Sequence, residues 1–164
     1  MKRLNIPTSI RAIVIAIIVV ITGMVIYKST VPNINSIDYL TSKEETPSIT
    51  KLSNEERTKD SRKFDFYRFD GKWSLMEFES TKNNKIKIID NSKITKGTLY
   101  IVVLSSEYKA LATHKSNGKD SLDLSIPKNG KYFIRIVGKN SKGNLNIKIN
   151  STTDIHLSHR SIFD

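Results

Sequence analysis

Cysteine is absent from this chain. That excludes disulfide support, a thiolate nucleophile, cysteine-ligated zinc and an acylated lipobox. Glycine (7) and proline (4) are scarce among 164 residues, so neither a collagen-like repeat nor a flexible low-complexity chain is possible. No serine sits in a G-x-S-x-G elbow, and neither a Walker loop nor a G-x-G-x-x-G turn occurs. Nucleophilic hydrolysis and nucleotide binding of those kinds therefore have no carrier. Acidic residues are short as well, 16 against 27 lysines and arginines, for a formal charge of +11. A basic surface of that size is drawn to anionic lipid heads, teichoic-acid phosphates or nucleic acid, the last being the least expected here. Long apolar runs are missing with one exception.

The exception is residues 12–27, AIVIAIIVVITGMVIY, closed by Arg11 and Lys28. A bilayer core of roughly 30 Å calls for about 20 apolar residues in a helix. The run reaches that length if Ser9, Ile10 and the snorkelling stem of Arg11 are added. Its Ile and Val residues together contribute roughly −3 to −6 kcal/mol of insertion free energy. Lys2 and Arg3 join Arg11 before the run, with Lys28 alone just after it. The positive-inside rule then predicts a single-pass signal anchor, with residues 1–11 cytoplasmic and the rest extracytoplasmic. A cleaved signal peptide is the competing reading; it lacks an A-x-A-like site.

Residues 28–63 balance seven basic residues against six acidic ones, include Pro32 and Pro47, and show no sustained apolar period. They read as a polar stalk, with a short helix capped by Ser53 and Glu56. From Phe64 the texture changes. Segments 64–69 and 72–79 flank Asp70-Gly71, a hairpin signal. Residues 85–90 alternate, 98–105 are apolar on both faces, 109–114 make a partner, and 121–126 alternate again. Asn129-Gly130 leads into 131–138, and Gly143 into 144–150. Eight short strands without a long helix between them predict an all-β fold, an antiparallel jelly-roll-like β-sandwich over 64–150. The expected core is Trp73, Leu75, Leu99, Ile101, Val103, Leu122, Leu124, Tyr132, Ile134, Ile136, Leu145 and Ile147. Residues 151–164 read as a tail with an edge strand at Ile155 and Leu157.

The segment from Ile88 to Ile101, IIDNSKITKGTLYI, is similar to one repeated in small exported or membrane-anchored β-sandwich proteins of clostridia and related Firmicutes. Residues 129–139, NGKYFIRIVGK, with Lys142-Gly143-Asn144-Leu145, resemble the final hairpin of those proteins. The resemblance spans roughly 64–150 and implies the fold; such proteins are mostly of unknown function.

Chemistry-bearing residues are few. Asp154, His156 and His159 offer imidazole and carboxylate, but histidines three apart on a strand do not converge, so no metal is expected there. His114 has no carboxylate near it in sequence and reads as a surface histidine. Glu77 and Glu79 stand two apart on one strand and read as a solvated face. No cofactor is expected. Lysines gather at the predicted turns, where they also protect strand edges. The candidate ligand-binding rim is Tyr67, Trp73, Lys85, Lys115, Lys119, Lys131, Lys139 and Lys142, cations beside aromatic rings. The expected protein is a non-catalytic binding or interaction module at the bacterial cell envelope. Its partner would be an anionic wall polymer, a carbohydrate or an envelope protein. A structural or assembly subunit of a membrane complex is the alternative.

Overall fold

The structure is a computed structural model describing residues 8–30 and 33–162. It consists of two units, Met1–Asn33 and Ile34–Asp164, described separately. The first is a helix, α1 (Thr8–Thr30). Of its side chains, Ile10, those at 13–22 and Met24 are described, and the large apolar ones among them are exposed. Among the described residues no helix is long and apolar enough to cross a membrane. The anchor expected at 12–27 runs onto side chains outside that description, and most of the expected cytoplasmic segment 1–11 lies outside it too.

The second unit begins with a short helix, α2 (Ile37–Thr41), then β1 (Ser48–Thr50), β2 (Ser53–Arg57) and β3 (Ser61–Ser80). There follow β4 (Lys85–Asp90), β5 (Lys93–Ser105), β6 (Ala110–Lys115), β7 (Asp120–Ser125), β8 (Gly130–Ser151) and β9 (His156–His159). Every pairing is antiparallel. The long strands β3 and β8 pair along most of their length and serve both layers of a sandwich. In the first layer the order is β7–β4–β8–β3–β2, using the C-terminal half of β8 and the N-terminal half of β3. The second layer, β6–β5–β8–β3–β9, uses the opposite halves.

The buried faces explain how one strand serves two layers. In β3 the inward side chains are Arg62, Phe64 and Phe66, then Phe69, Trp73 and Leu75, and then Phe78. Both changes of phase coincide with a break in register against β8, at 66–69 and 74–76, and a third break lies at 69–71. Such bulges bend a strand and re-aim its side chains. The core between the layers joins these residues to Ile86, Ile88, Leu99, Ile101, Val103, Tyr132, Ile134, Ile136, Leu145, Ile147 and Ile149. All twelve expected core residues belong to it or pack on it, Leu122 and Leu124 being half-buried.

Three expectations are corrected. Asp70-Gly71 is no hairpin: β3 continues through it, because both flanking segments find their partner in β8 rather than in each other. Gly71 is needed there all the same, at φ +94°, since a Cβ would lie 2.1 Å from the Thr46 carbonyl oxygen. Segments 131–138 and 144–150 are likewise one strand, not a final hairpin. The stalk is the largest difference. From Ile34 on, residues 28–63 are part of the folded unit. The expected helix around Ser53 is instead strand β2, and α2 is capped by Ser36, whose Oγ accepts from the Tyr39 N–H at 3.3 Å.

The strap formed by residues 34–46 covers the outer face of the second layer. There Val102, Leu104, Phe133 and Val137 pack with Ile34, Leu40, Tyr39, Tyr100 and Tyr108. This is why 98–105 is apolar on both faces. Arg135, fully buried beneath the strap, donates from Nη1 to the carbonyls of Leu40 (2.9 Å) and Ser42 (2.8 Å). Its Nη2 reaches Glu45 at 3.0 Å and its Nε the Ser74 hydroxyl at 3.1 Å.

Candidate binding surface at the strand bends

The bends of β3, β5 and β8 fall at one level, where Phe66 faces Gly143, Phe69 faces Ser141, and Lys96 faces Lys142. The break between Phe66 and Phe69 turns two successive side chains, Tyr67 and Arg68, to solvent. Tyr67 is 56% exposed, the one large aromatic so placed among the described residues. The chain can bend here because Gly97, at φ +73°, meets the Asn140 carbonyl; a Cβ would stand 2.2 Å from that oxygen.

Tyr67, Arg68, Lys96, Asn140 and Lys142 line a recess of about 340 Å³. The Lys142 Nζ lies 4.4 Å from the Tyr67 ring centroid and the Lys51 Nζ 5.7 Å from it. These distances suit attraction between an ammonium and the ring face. Arg68 is engaged, its Nε donating to Asp70 Oδ2 at 2.6 Å, and Asp70 Oδ1 also accepts from the Asn140 N–H at 2.7 Å. Partial burial would raise the Asp70 carboxyl, but the Asn140 N–H, Arg68 and the nearby Lys139 hold it below the usual range. Lys51, Lys96 and Lys142 have no carboxylate within 4.0 Å among the described residues. An exposed ring flanked by unneutralised ammonium groups accepts anions beside an apolar ring or C–H face.

The eight rim candidates occupy several places. Tyr67 and Lys142 meet at the bend, and Lys139 neighbours them through Asn140. Lys85 lies in a groove on the outer face of the first layer. Lys131 pairs with Glu77 at 3.1 Å, so Glu77 is no free carboxylate, and borders a recess with Glu79, Asp154 and His156. Lys115 and Lys119 flank the β6–β7 turn. Trp73 is not on the surface at all. It is 2% exposed, with the Arg62 guanidinium 4.4 Å from its ring. Its place in the strand beside Phe64 and Leu75 makes it a core residue.

His156 borders the recess with Lys131, whereas His159 places Nε2 2.7 Å from the Thr58 carbonyl. Among the described residues no three His, Cys, Asp or Glu side chains could hold a metal ion. His114 is a correction. Its Nε2 is 3.3 Å from Asp90 Oδ2 and its Nδ1 is 3.8 Å from Asp120 Oδ2. Asp90 and Asp120 face each other across β4 and β7, a long-range pairing that nothing in local sequence announces. The two carboxylates approach different ring nitrogens, so they link β6 to the other layer rather than converge on one point. Lys51 and Lys96 were missed because the bends that gather them depend on the partner strand.

No protein-family model and no curated protein matches the sequence. Among solved structures, this chain overlays a family 35 carbohydrate binding module from an environmental isolate, at 12% identity and a TM-score of 0.36, over 74% of this chain and 93% of that one. A family two carbohydrate esterase from Clostridium thermocellum overlays at 10% identity and TM-score 0.35, over 70% of this chain. An acetyl xylan esterase from Butyrivibrio proteoclasticus does so at 9% and 0.34, over 74%. This chain spans about a third of the length of each esterase, 33% and 32%.

Proposed function

We propose that the chain is a non-catalytic binding module of the bacterial envelope that engages an anionic wall polymer at the strand bends. One observation carries the reading: a tyrosine, Tyr67, more than half exposed, with Lys142 against its ring and Lys96 lining the same recess. A polyol phosphate or acidic glycan offers what this surface lacks, negative charge and C–H faces. The charge pattern of residues 1–28 supports placement at the membrane, with 12–27 as the anchor, the N-terminus inside and the folded unit outside.

The test uses the full chain in nanodiscs and purified poly(glycerol phosphate) teichoic acid on a biosensor. Binding is expected to weaken at least tenfold between about 0.1 and 0.5 M salt, as screening shortens the Debye length. Tyr67→Ala and the pair Lys96→Ala with Lys142→Ala are each expected to weaken it at least tenfold. Salt-indifferent binding, or binding untouched by these changes, would overturn the reading. The placement has its own test. Release of the native protein by carbonate, or protection of the folded unit from protease added to intact cells, would overturn it.

A further inference from the structure

The outer face of the first layer carries a groove of about 520 Å³, formed by β7, β4 and the end of β8. Its side chains stand in cross-strand rows. Lys87 faces Asp123 on one side and Asn150 on the other, and Lys85 faces Ser125. Successive outward residues on a strand lie about 6.8 Å apart, so the rows form a regular ladder of polar groups. The floor is the strand backbone at Ile86 and Leu124.

The groove wall is pinned from below. Asn84 is buried, and its amide Nδ2 donates to Ser80 Oγ at 2.9 Å and to the Thr153 carbonyl at 3.1 Å. Its Oδ1 accepts from the Thr152 hydroxyl and the Thr153 N–H, both at 2.9 Å. Thr152 Oγ1 in turn accepts the Lys85 N–H at 3.1 Å. The turn leaving β8 is therefore fixed against the start of β4. Above this frame the Lys85 ammonium, the Ser125 hydroxyl and the Asn150 amide make no hydrogen bond or ion pair within the described residues. Lys87 and Asp123 are only loosely paired, at 3.7 Å.

The chemistry of this set differs from that of the bend surface. Lysines donate, Asp123 accepts, and Ser125 and Asn150 do both. A carboxylate in the wall opposes a phosphate, whereas vicinal hydroxyls need a donor and an acceptor side by side. We propose that the groove is a second binding site, for an uncharged glycan chain, independent of the anion surface at Tyr67. Sugar C–H faces lie along the floor and the lysine stems, and ring hydroxyls bond to Asn150, Ser125, Lys85 and Asp123.

The test is amide NMR on the full chain in detergent micelles, titrated with uncharged tetramers of N-acetylglucosamine, glucose and mannose. At least one tetramer is expected to shift the Asn150 side-chain amide and the backbone amides of Lys87 and Ser125, leaving those of Tyr67 and Lys142 unmoved. Asn150→Ala with Ser125→Ala is expected to weaken that binding at least tenfold, and Tyr67→Ala to leave it unchanged. Absence of shifts with all three tetramers overturns the proposal. So do shifts centred on Tyr67, shifts indifferent to the paired change, or teichoic acid occupying the groove in the tetramer's place. Loss of teichoic-acid binding by itself touches only the function proposed for the bends.

Discussion

Arg62 and Arg135 are both fully buried in this sandwich, one inside it and one outside. Arg135, under the strap, has hydrogen bonds from Nε, Nη1 and Nη2 to Ser74, two carbonyls and Glu45. Arg62 faces the core. It reaches the carbonyls of Leu75 and Arg160 and the Glu55 carboxylate, while its Nε goes without a partner. In compensation its guanidinium lies 4.4 Å from the Trp73 ring centroid and 5.7 Å from that of Phe64. Burial draws both guanidinium groups below their ordinary pKa, and a carboxylate opposes that pull in each case. Arg135 has a ring beside it as well, Tyr108 at 5.2 Å, so the two differ in that one completes its hydrogen bonds while the other gives one up and rests closer to a ring. Both arginines fasten chain N-terminal to β3, the strap in one case and β2 in the other.

The contrast is tested most severely at Glu45. Glu45→Ala leaves Arg135 buried without its counter-ion and is expected to cost about 3–5 kcal/mol, seen in chemical denaturation of the full chain. A loss below about 1 kcal/mol would show that the carbonyls alone carry Arg135. Glu55→Ala is expected to cost less, about 1.5–3 kcal/mol, because Trp73 still shields Arg62. Equal losses at the two positions would erase the distinction.

Acid sharpens the same point. Burial acts to raise the carboxyls of Glu45 and Glu55, yet hydrogen bonds from Ser74 and Arg135, and from Arg57 and Arg62, hold both below the ordinary value of 4.5. Depressed carboxyls stabilise the fold above their unfolded pKa and lose that contribution as pH falls through the folded one. Melting temperature should therefore be level from neutral pH to about 5 and fall below about 4.5, with a shallower fall in Glu45→Gln. A fall beginning near pH 6 would assign the effect to histidine instead. The smallest effect is expected at Tyr67. Exposed and outside the core, its replacement by Ala should move stability by no more than about 0.5 kcal/mol, which keeps the binding assay interpretable.

The inner core is readable from pattern alone, since Leu99, Ile101, Val103, Ile134 and Ile136 alternate with period two. The strap is not. Lys72, Ser74 and Arg135 are polar residues at outward positions, which in isolation signify solvent. They are buried only because a segment up to 95 residues away folds over them. The bends escape notice for a related reason: Asp70-Gly71 has hairpin chemistry, and only the competition for β8 decides against a turn. The bend surface was half readable. Tyr67, Lys139 and Lys142 could be named, but their neighbours Lys51 and Lys96 join them through tertiary pairing.

Two strands of 20 and 22 residues are common property of both layers. A crack opened in either layer must therefore travel along a ladder the other layer also needs, and the halves have no separate breaking points. Tension on such a body loads one seam as a whole, so the fold should yield in a single mechanical event rather than peel away strand by strand.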